Sequence, residues 1–290
     1  MKATPSYRAF QVFNALVMTL VVLLTLYPFV YLVAQSFSSE AAVYAGKVSF
    51  FPVEFTTQTY ELVLGKPDFY RYYGNTIMYA VLGTLISVTA TAVLAYPLSK
   101  EKLRLNKFFI PFVLFTMYFS GGLIPNYVLV AQGLHLRDTI WALIIPGAIS
   151  AFNVILVKTF FSSLPNEVEE AATVDGLGVY GIFTRITLPL SKPILATMVL
   201  FSMVAIWNDW FSASLFLQSK EKWPVALYLR QIIDSAVNST EFGATDASYA
   251  QIAATIKSSA MLLTSLPVIC IYPFVQRYFV QGMMIGAVKG

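Results

Sequence analysis

Glu170-Ala171-Ala172-Thr173-Val174-Asp175-Gly176, closed downstream by Ile186-Thr187-Leu188-Pro189, is the stretch on which the reading of this chain turns. Carboxylates, small residues, a glycine and a helix-breaking proline gather here, in a sequence that is otherwise mostly hydrocarbon. Glu167, Glu169 and Glu170 follow Pro165, so they fall in the first turns of a helix. Carboxylates suit the positive end of the helix dipole there, and proline suits the first helical position. Asp175-Gly176 supplies the stop, because glycine takes the left-handed conformation just past a helix end at no cost. Residues 179–186 read as a second short helix ending at Leu188-Pro189, and Pro193 opens the next apolar run. The expectation is a helix–turn–helix lying outside a membrane, between two spans.

Composition puts the rest of the chain in the membrane. Of 290 residues, 57% are hydrophobic and 12% charged, where a soluble domain is about 25% charged. The mean hydropathy is +0.68. A net charge of +4 would suit a nucleic-acid partner, but the basic residues flank apolar runs, which is membrane orientation chemistry. Cys270 is the single cysteine, so there is no disulfide framework, and inside an apolar run it reads as a small hydrophobe. His135 is the single histidine and reads as an exposed loop residue; neither a His-based metal site nor a histidine-centred triad is expected.

Six apolar runs follow in order: 12–34, 74–98, 108–130, 139–157, 193–217 and 259–276. The first exceeds the roughly 7–15 residues of a signal-peptide core and reads as a retained span, kinked at Pro28. Gly83, Ser87 and Thr91 recur at four-residue steps in the second, the small-residue seam that lets membrane helices approach closely. Gly121-Gly122 and Pro125 interrupt the third, which is tolerated where neighbouring helices or a wet cavity satisfy the freed backbone. Lys100, Lys102, Arg104 and Lys107 crowd into the loop after the second run and place it in the cytoplasm. Alternation then puts both termini and the Glu170 loop inside, and the long polar connections 38–73 and 218–258 outside.

The pattern E-A-A-x3-G-x9-I-x-L-P, met at Glu170, Ala171, Ala172, Gly176, Ile186, Leu188 and Pro189, resembles the cytoplasmic loop signature of binding-protein-dependent ABC-importer permeases. Trp207-Asn208-Asp209-Trp210 and the tail from Arg277-Tyr278-Phe279-Val280 to Gly286-Ala287-Val288-Lys289-Gly290 look like the carbohydrate-uptake branch, which contains the maltose-type permeases. The resemblance is close from about residue 70 onward. It sets residues 1–69, a first transmembrane helix with an outer loop, apart from a transmembrane core at 70–290 with its coupling loop at 163–190.

The resemblance implies an all-α integral membrane protein of six transmembrane helices with a cytoplasmic coupling helix, the type I ABC importer permease (MetI-like) core. It implies a transporter subunit and not an enzyme, in a bacterial inner membrane. The implied partners are a second permease chain, two ATPase subunits, an external solute-binding protein and a carbohydrate substrate. Glu167 and Glu170 would face the ATPase, with Glu170 making the charged contact. Ala171 and Ala172 would allow close approach, Asp175-Gly176 would make the turn, and Leu188-Pro189 would join the loop to the fifth span. The sequence has no G-x-x-x-x-G-K-[ST], so ATP and Mg are expected on partner subunits, with no cofactor or metal in this chain. A subgroup that looks like this chain imports acidic or plant-derived oligosaccharides, so an alginate- or pectin-type substrate is the expectation for this chain.

Ser202, Ala205, Asp209 and Ser212 recur at helical spacing in the fifth run, with Asn208 beside them. Asp209 lies about 24 Å along a helix from Pro193, in the outer third of a roughly 30 Å hydrocarbon core. Two readings are open: an interfacial aspartate flanked by Trp207 and Trp210 as an aromatic belt, or a stripe lining a wet substrate pathway. Two other function classes fit less well. A secondary transporter would carry more acidic residues at membrane depth, and a metal-dependent phosphatidyl-group transferase would add aspartates to Asp175-Gly176.

Overall fold

Long uncharged runs must satisfy their backbone internally when water is absent, and the helix is the local way to do so. The computed structural model describes residues 5–65, 67–100, 103–241, 255–271 and 273, and among these it is helical with no strand. The chain divides into two compact units, Met1–Tyr70 with Leu229–Leu266, and Arg71–Tyr228 with Pro267–Gly290.

In the first unit, α1 (Pro5–Ser36) runs as one helix through Pro28. It is apolar on every side and none of its apolar window is buried, as a lipid-facing span would be. Short helices α2 (Glu40–Tyr44) and α3 (Gln58–Leu64) follow, where the sequence suggested only a polar connection. Ser39 caps α2 by accepting from the Ala42 amide at 3.2 Å. Ala34, Ala42, Val43 and Val48 form a small core. Above it, Tyr60 donates to Ser36 Oγ at 2.8 Å and Ser258 donates to Gln35 Oε1 at 2.9 Å.

Most of α4 (Pro67–Leu98) belongs to the second unit. Chain order continues with α5 (Asn106–Tyr118), α6 (Leu123–Val128) running into a π-helical turn Leu129–Gly133, α7 (Trp141–Ile144) and α8 (Ala151–Ser162). The inter-span loop holds α9 (Asn166–Val174), α10 (Val179–Ile182), a π-helical turn Phe183–Thr187 and α11 (Leu188–Leu190). Then come α12 (Lys192–Trp207), α13 (Trp210–Phe216), α14 (Val225–Glu241) and α15 (Thr255–Ile271). Ala92, Ala95 and Tyr96 of α4, Val157 and Phe161 of α8, and Ile194 and Met198 of α12 make the main core.

The apolar runs are less continuous than their hydropathy suggests. Among the described residues, only α1 and α4 are individually long and apolar enough to cross a membrane. The third run bends by 109° between Asn106–Tyr118 and Leu123–Gly133, with Gly122 at φ +88°. The fourth is interrupted between α7 and α8, and α8 extends past residue 157. The fifth breaks at Asn208 and Asp209, so the expected single helix over 193–217 is two. The sixth is already helical at Thr255, ahead of the expected start, and residues 272 and 274–276 lie outside the described set, as do Lys102, Asp246 and the tail from Arg277. The 218–258 connection is partly helical, through α14. Cys270 is exposed on α15, not packed in a core, and His135 is an exposed loop residue as expected.

The expected small-residue seam packs α4 on α12. Ser202 Oγ donates to Ser87 Oγ at 3.3 Å, and Thr91 is buried. A Cβ on Gly83 would come within 2.6 Å of Ile206 Cδ1, the flexible tip of a side chain. Gly83→Ala should therefore unfold at nearly the wild-type temperature. Gly83→Leu should lose about 1–3 kcal/mol through overpacking and show a lower midpoint in detergent.

Candidate functional site

The loop from Ser163 to Leu190 is built by local rules. Pro165 is the residue before the first turn, one position earlier than expected, and Glu167 and Glu169 fall in that turn, at the positive end of α9. Gly176 adopts φ +85°, its amide bonds to Thr173 O at 3.1 Å and the Leu177 amide bonds to Ala172 O at 3.0 Å. This paired closure satisfies the last carbonyls of α9 and requires a residue free to be left-handed. A 79° bend separates the end of the loop from α12.

One face of α9 looks inward. Lys100 Nζ, just past the end of α4, forms an ion pair with Glu169 and reaches its Oε2 at 2.6 Å. The side chains are 29% and 19% exposed, so this pair is largely withdrawn from water. Thr187 donates to Glu169 Oε1 at 3.4 Å, and the Lys100 ammonium sits 4.6 Å from the centre of the Tyr96 ring. Ala172 is buried three residues further along the same face.

The other face is open. Glu167, Glu170, Ala171, Asp175, Gly176 and Pro189 are exposed, while Leu188 packs against the main core. Two apolar side chains flank the glycine turn with almost nothing on them: Val174 is 88% exposed and Tyr180 is 87% exposed.

The residues of the fifth run divide. Ser202 is buried against Ser87 in α4, Ala205 and Asn208 are exposed, and Asp209 and Ser212 are half-buried. Asp209 caps α13 by accepting from the Ser212 amide at 3.0 Å. It also lines a pocket with Thr76, Tyr79, Leu143, Ile206 and Pro224, with room for about one water molecule. Trp207 is buried edge-to-face on Tyr73, and Trp210 is exposed. The break at Asn208 thus separates Ser202 from the other polar residues that the sequence grouped with it.

Sequence reasoning missed the Asp138 clamp at the far end of α4. Asp138, at φ +56°, accepts through its carboxylate from the Gln218 and Ser219 amides at 3.0 Å, from Ser219 Oγ at 2.7 Å and from Lys222 Nζ at 2.8 Å. Asn75, Thr76 and Tyr79 hold the same loop by bonds to Glu221 O, the Val225 amide and Lys222 O. Local pattern gave no sign of Asp138–Lys222, which are 84 residues apart.

The described chain is helical, with an exposed loop between apolar segments of membrane-spanning character. The sequence profile of the binding-protein-dependent transport system inner membrane component family matches residues 4–285, and the chain belongs to that family. It is 41% identical over 290 residues to Protein LplC of Bacillus subtilis (strain 168), covering 100% of this chain and 98% of that protein. It is 37% identical over 272 residues to the polygalacturonan/rhamnogalacturonan transport system permease protein YtcP of Bacillus subtilis (strain 168), covering 92% and 94%. A crystal structure of a bacterial ABC transporter involved in the import of the acidic polysaccharide alginate superposes with a TM-score of 0.85 at 34% identity, covering 96% of this chain and 99% of that one. Family membership makes the chain a transport component and not an enzyme.

The hydrogen bonds from Lys222 and Ser219 hold the Asp138 carboxyl far below the usual carboxylate range. A lowered folded-state value means that the stabilisation is complete above the unfolded value near pH 4 and is lost as pH falls toward the folded one. Thermal midpoints in detergent should fall more between pH 5 and pH 3 for the wild type than for Asp138→Asn. At pH 7 the variant should already have the lower midpoint. Parallel curves for the two proteins would remove this role for Asp138.

Proposed function

We propose that this chain is the membrane-spanning permease subunit of an ATP-driven, binding-protein-dependent importer of carbohydrate, acting in a bacterial inner membrane. It pairs with a second permease chain, two ATPase subunits and an external solute-binding protein. ATP and Mg are bound on the ATPase subunits, with no cofactor in this chain. The observation that carries the reading is the bare apolar pair Val174 and Tyr180 beside the Gly176 turn, next to Glu167 and Glu170. Apolar side chains left open on a polar loop mark a surface that a partner protein covers. The family of the chain supplies the kind of partner, an ATPase whose closure pulls on this loop.

The substrate class we favour is an oligosaccharide from an acidic polysaccharide. Support comes from the polygalacturonan/rhamnogalacturonan permease and the alginate importer, each similar to this chain over most of its length. In our reading the loop is cytoplasmic, as are both termini, and α8 and α15 join α1, α4, the bent third run and the fifth run (α12 with α13) to make six crossings. The polar break between α12 and α13, with Ala205, Asn208, Asp209 and Ser212, belongs to the pathway, and Ser202 sets the helix packing behind it. Closure of the ATPase subunits rocks the helices and opens that break to alternate sides.

Glu170→Lys tests the coupling contact. Glu170 is exposed in the isolated chain, so stability should change by no more than about 0.5 kcal/mol. A reversed charge against a buried partner costs about 2–5 kcal/mol, so binding to the ATPase and transport should both fall sharply. Assembly and transport at wild-type rates would end the assignment.

Single cysteines test the topology in a Cys270→Ser background. Ser49→Cys should react with an impermeant thiol reagent on intact cells and Ser163→Cys should not; both positions are exposed on the chain itself. Labelling of Ser163→Cys from outside would invert the orientation.

A further inference from the structure

The residues that face inward from the loop carry a role of their own. We infer that Lys100 and Glu169 form the tie through which displacement of the coupling helix α9 reaches α4, and through α4 the loop held by Asn75, Thr76 and Tyr79. The inference rests on the reading of residues 163–190 as the ATPase-facing loop. Both are positioning residues, since neither side chain lies on the open face or at the polar break in the fifth run.

Five elements converge on this ion pair. Lys100 follows the last turn of α4 and lies against Tyr96 of that turn. Glu169 belongs to α9 and is bonded by Thr187, which closes the π-helical turn just before the bend into α12. Ser162, at the end of α8, donates to Ser99 O at 3.1 Å. Asn106, the first residue of α5, donates to Lys100 O at 2.6 Å and to Leu98 O at 3.2 Å. Lys100 therefore has little freedom to follow Glu169 unless α4 moves too. A charge pair with both carboxylate oxygens engaged and most of its surface covered resists separation more than an exposed pair does.

The other end of α4 is fastened as firmly. Asn75 Nδ2 reaches Glu221 O at 2.7 Å and Trp223 O at 3.1 Å, Tyr79 donates to Lys222 O at 2.7 Å, and Thr76 Oγ1 accepts from the Val225 amide at 2.8 Å. Between Tyr79 and Tyr96 the helix covers about 25 Å, and it is unbroken. A rod pinned at both ends passes a displacement along its axis, whereas the third and fifth runs are broken and would absorb it at their breaks.

The test uses the whole importer reconstituted in proteoliposomes with its ATPase subunits and loaded binding protein. ATP hydrolysis and substrate uptake are measured together for Glu169→Gln, Lys100→Met and the exchanged pair Lys100→Glu with Glu169→Lys. Each single variant should keep its ATPase subunits, because Glu167 and Glu170 are untouched. Uptake per ATP hydrolysed should fall by about 5-fold or more, within the range of ordinary coupling effects. The exchanged pair should recover at least half of it. Single variants that retain wild-type uptake per ATP would overturn the tie, and so would an exchanged pair no better than either single. If the single variants fail to assemble, the exchanged pair decides: assembly with uptake supports the tie, and failure overturns it. A wild-type assembly that neither hydrolyses ATP nor takes up carbohydrate would instead strike the functional reading beneath it.

Discussion

Every backbone amide in hydrocarbon must find its partner within the protein, and that constraint shapes this chain more than any single contact. Regular helix meets it automatically; a break does not. At the break in the fifth run Asp209 supplies the missing acceptor, taking the Ser212 amide at the start of α13. Ser150 does the same for Asn153 at the start of α8, at 3.4 Å. In the break after α5, Ser120 Oγ accepts from the Gly122 amide at 3.2 Å. Near the other end of α13, Asp138 takes two consecutive amides of the 216–222 loop. Each of these polar side chains stands where the backbone leaves helical geometry.

Packing then follows from what lipid cannot supply. Association between membrane helices gains nothing from excluding water, so close fit and hydroxyl bonds decide which faces meet. Helix α4 presents Gly83, Ser87, Thr91, Ala92 and Ala95 to its neighbours, and these small residues let α8 and α12 approach. Outward-facing Phe, Leu and Val on α1 and α5 have no such role and remain exposed. The two ends of α4 are fixed by polar chemistry instead, Lys100–Glu169 at one and Asn75 with Tyr79 at the other. Specific connections are therefore made at helix ends, where charge and backbone groups are available.

What was legible in the sequence was whatever local rules govern. The Asp175-Gly176 stop, the carboxylates in the first turn of α9, the long α1 and α4 and the seam on α4 all follow from nearest-neighbour chemistry. Hydropathy reports whether a run prefers lipid but not its direction, so runs 139–157 and 193–217 read as unbroken. Pro146-Gly147 and Asn208-Asp209 mark the interruptions in retrospect. The spacing of Ser202, Ala205, Asp209 and Ser212 assumes one continuous helix, and α12 ends at Trp207, before Asp209 and Ser212. Glu169 and Glu170 read alike as first-turn carboxylates because the two differ only in helical phase, and phase is set by what lies behind the helix. Lys100 was counted as one of a basic cluster that orients the chain, though its ammonium is committed to Glu169.

The central claim is that the open face of the 163–190 loop joins carbohydrate passage to ATP hydrolysis on another chain. Co-purification of the importer, followed by ATPase assays with binding protein loaded from a panel of neutral and acidic oligosaccharides, tests it most directly. The account predicts that ATPase subunits accompany this chain and that hydrolysis rises with binding protein carrying fragments of an acidic polysaccharide. A chain that purifies without an ATPase, or an assembly whose hydrolysis ignores every loaded binding protein, would contradict it.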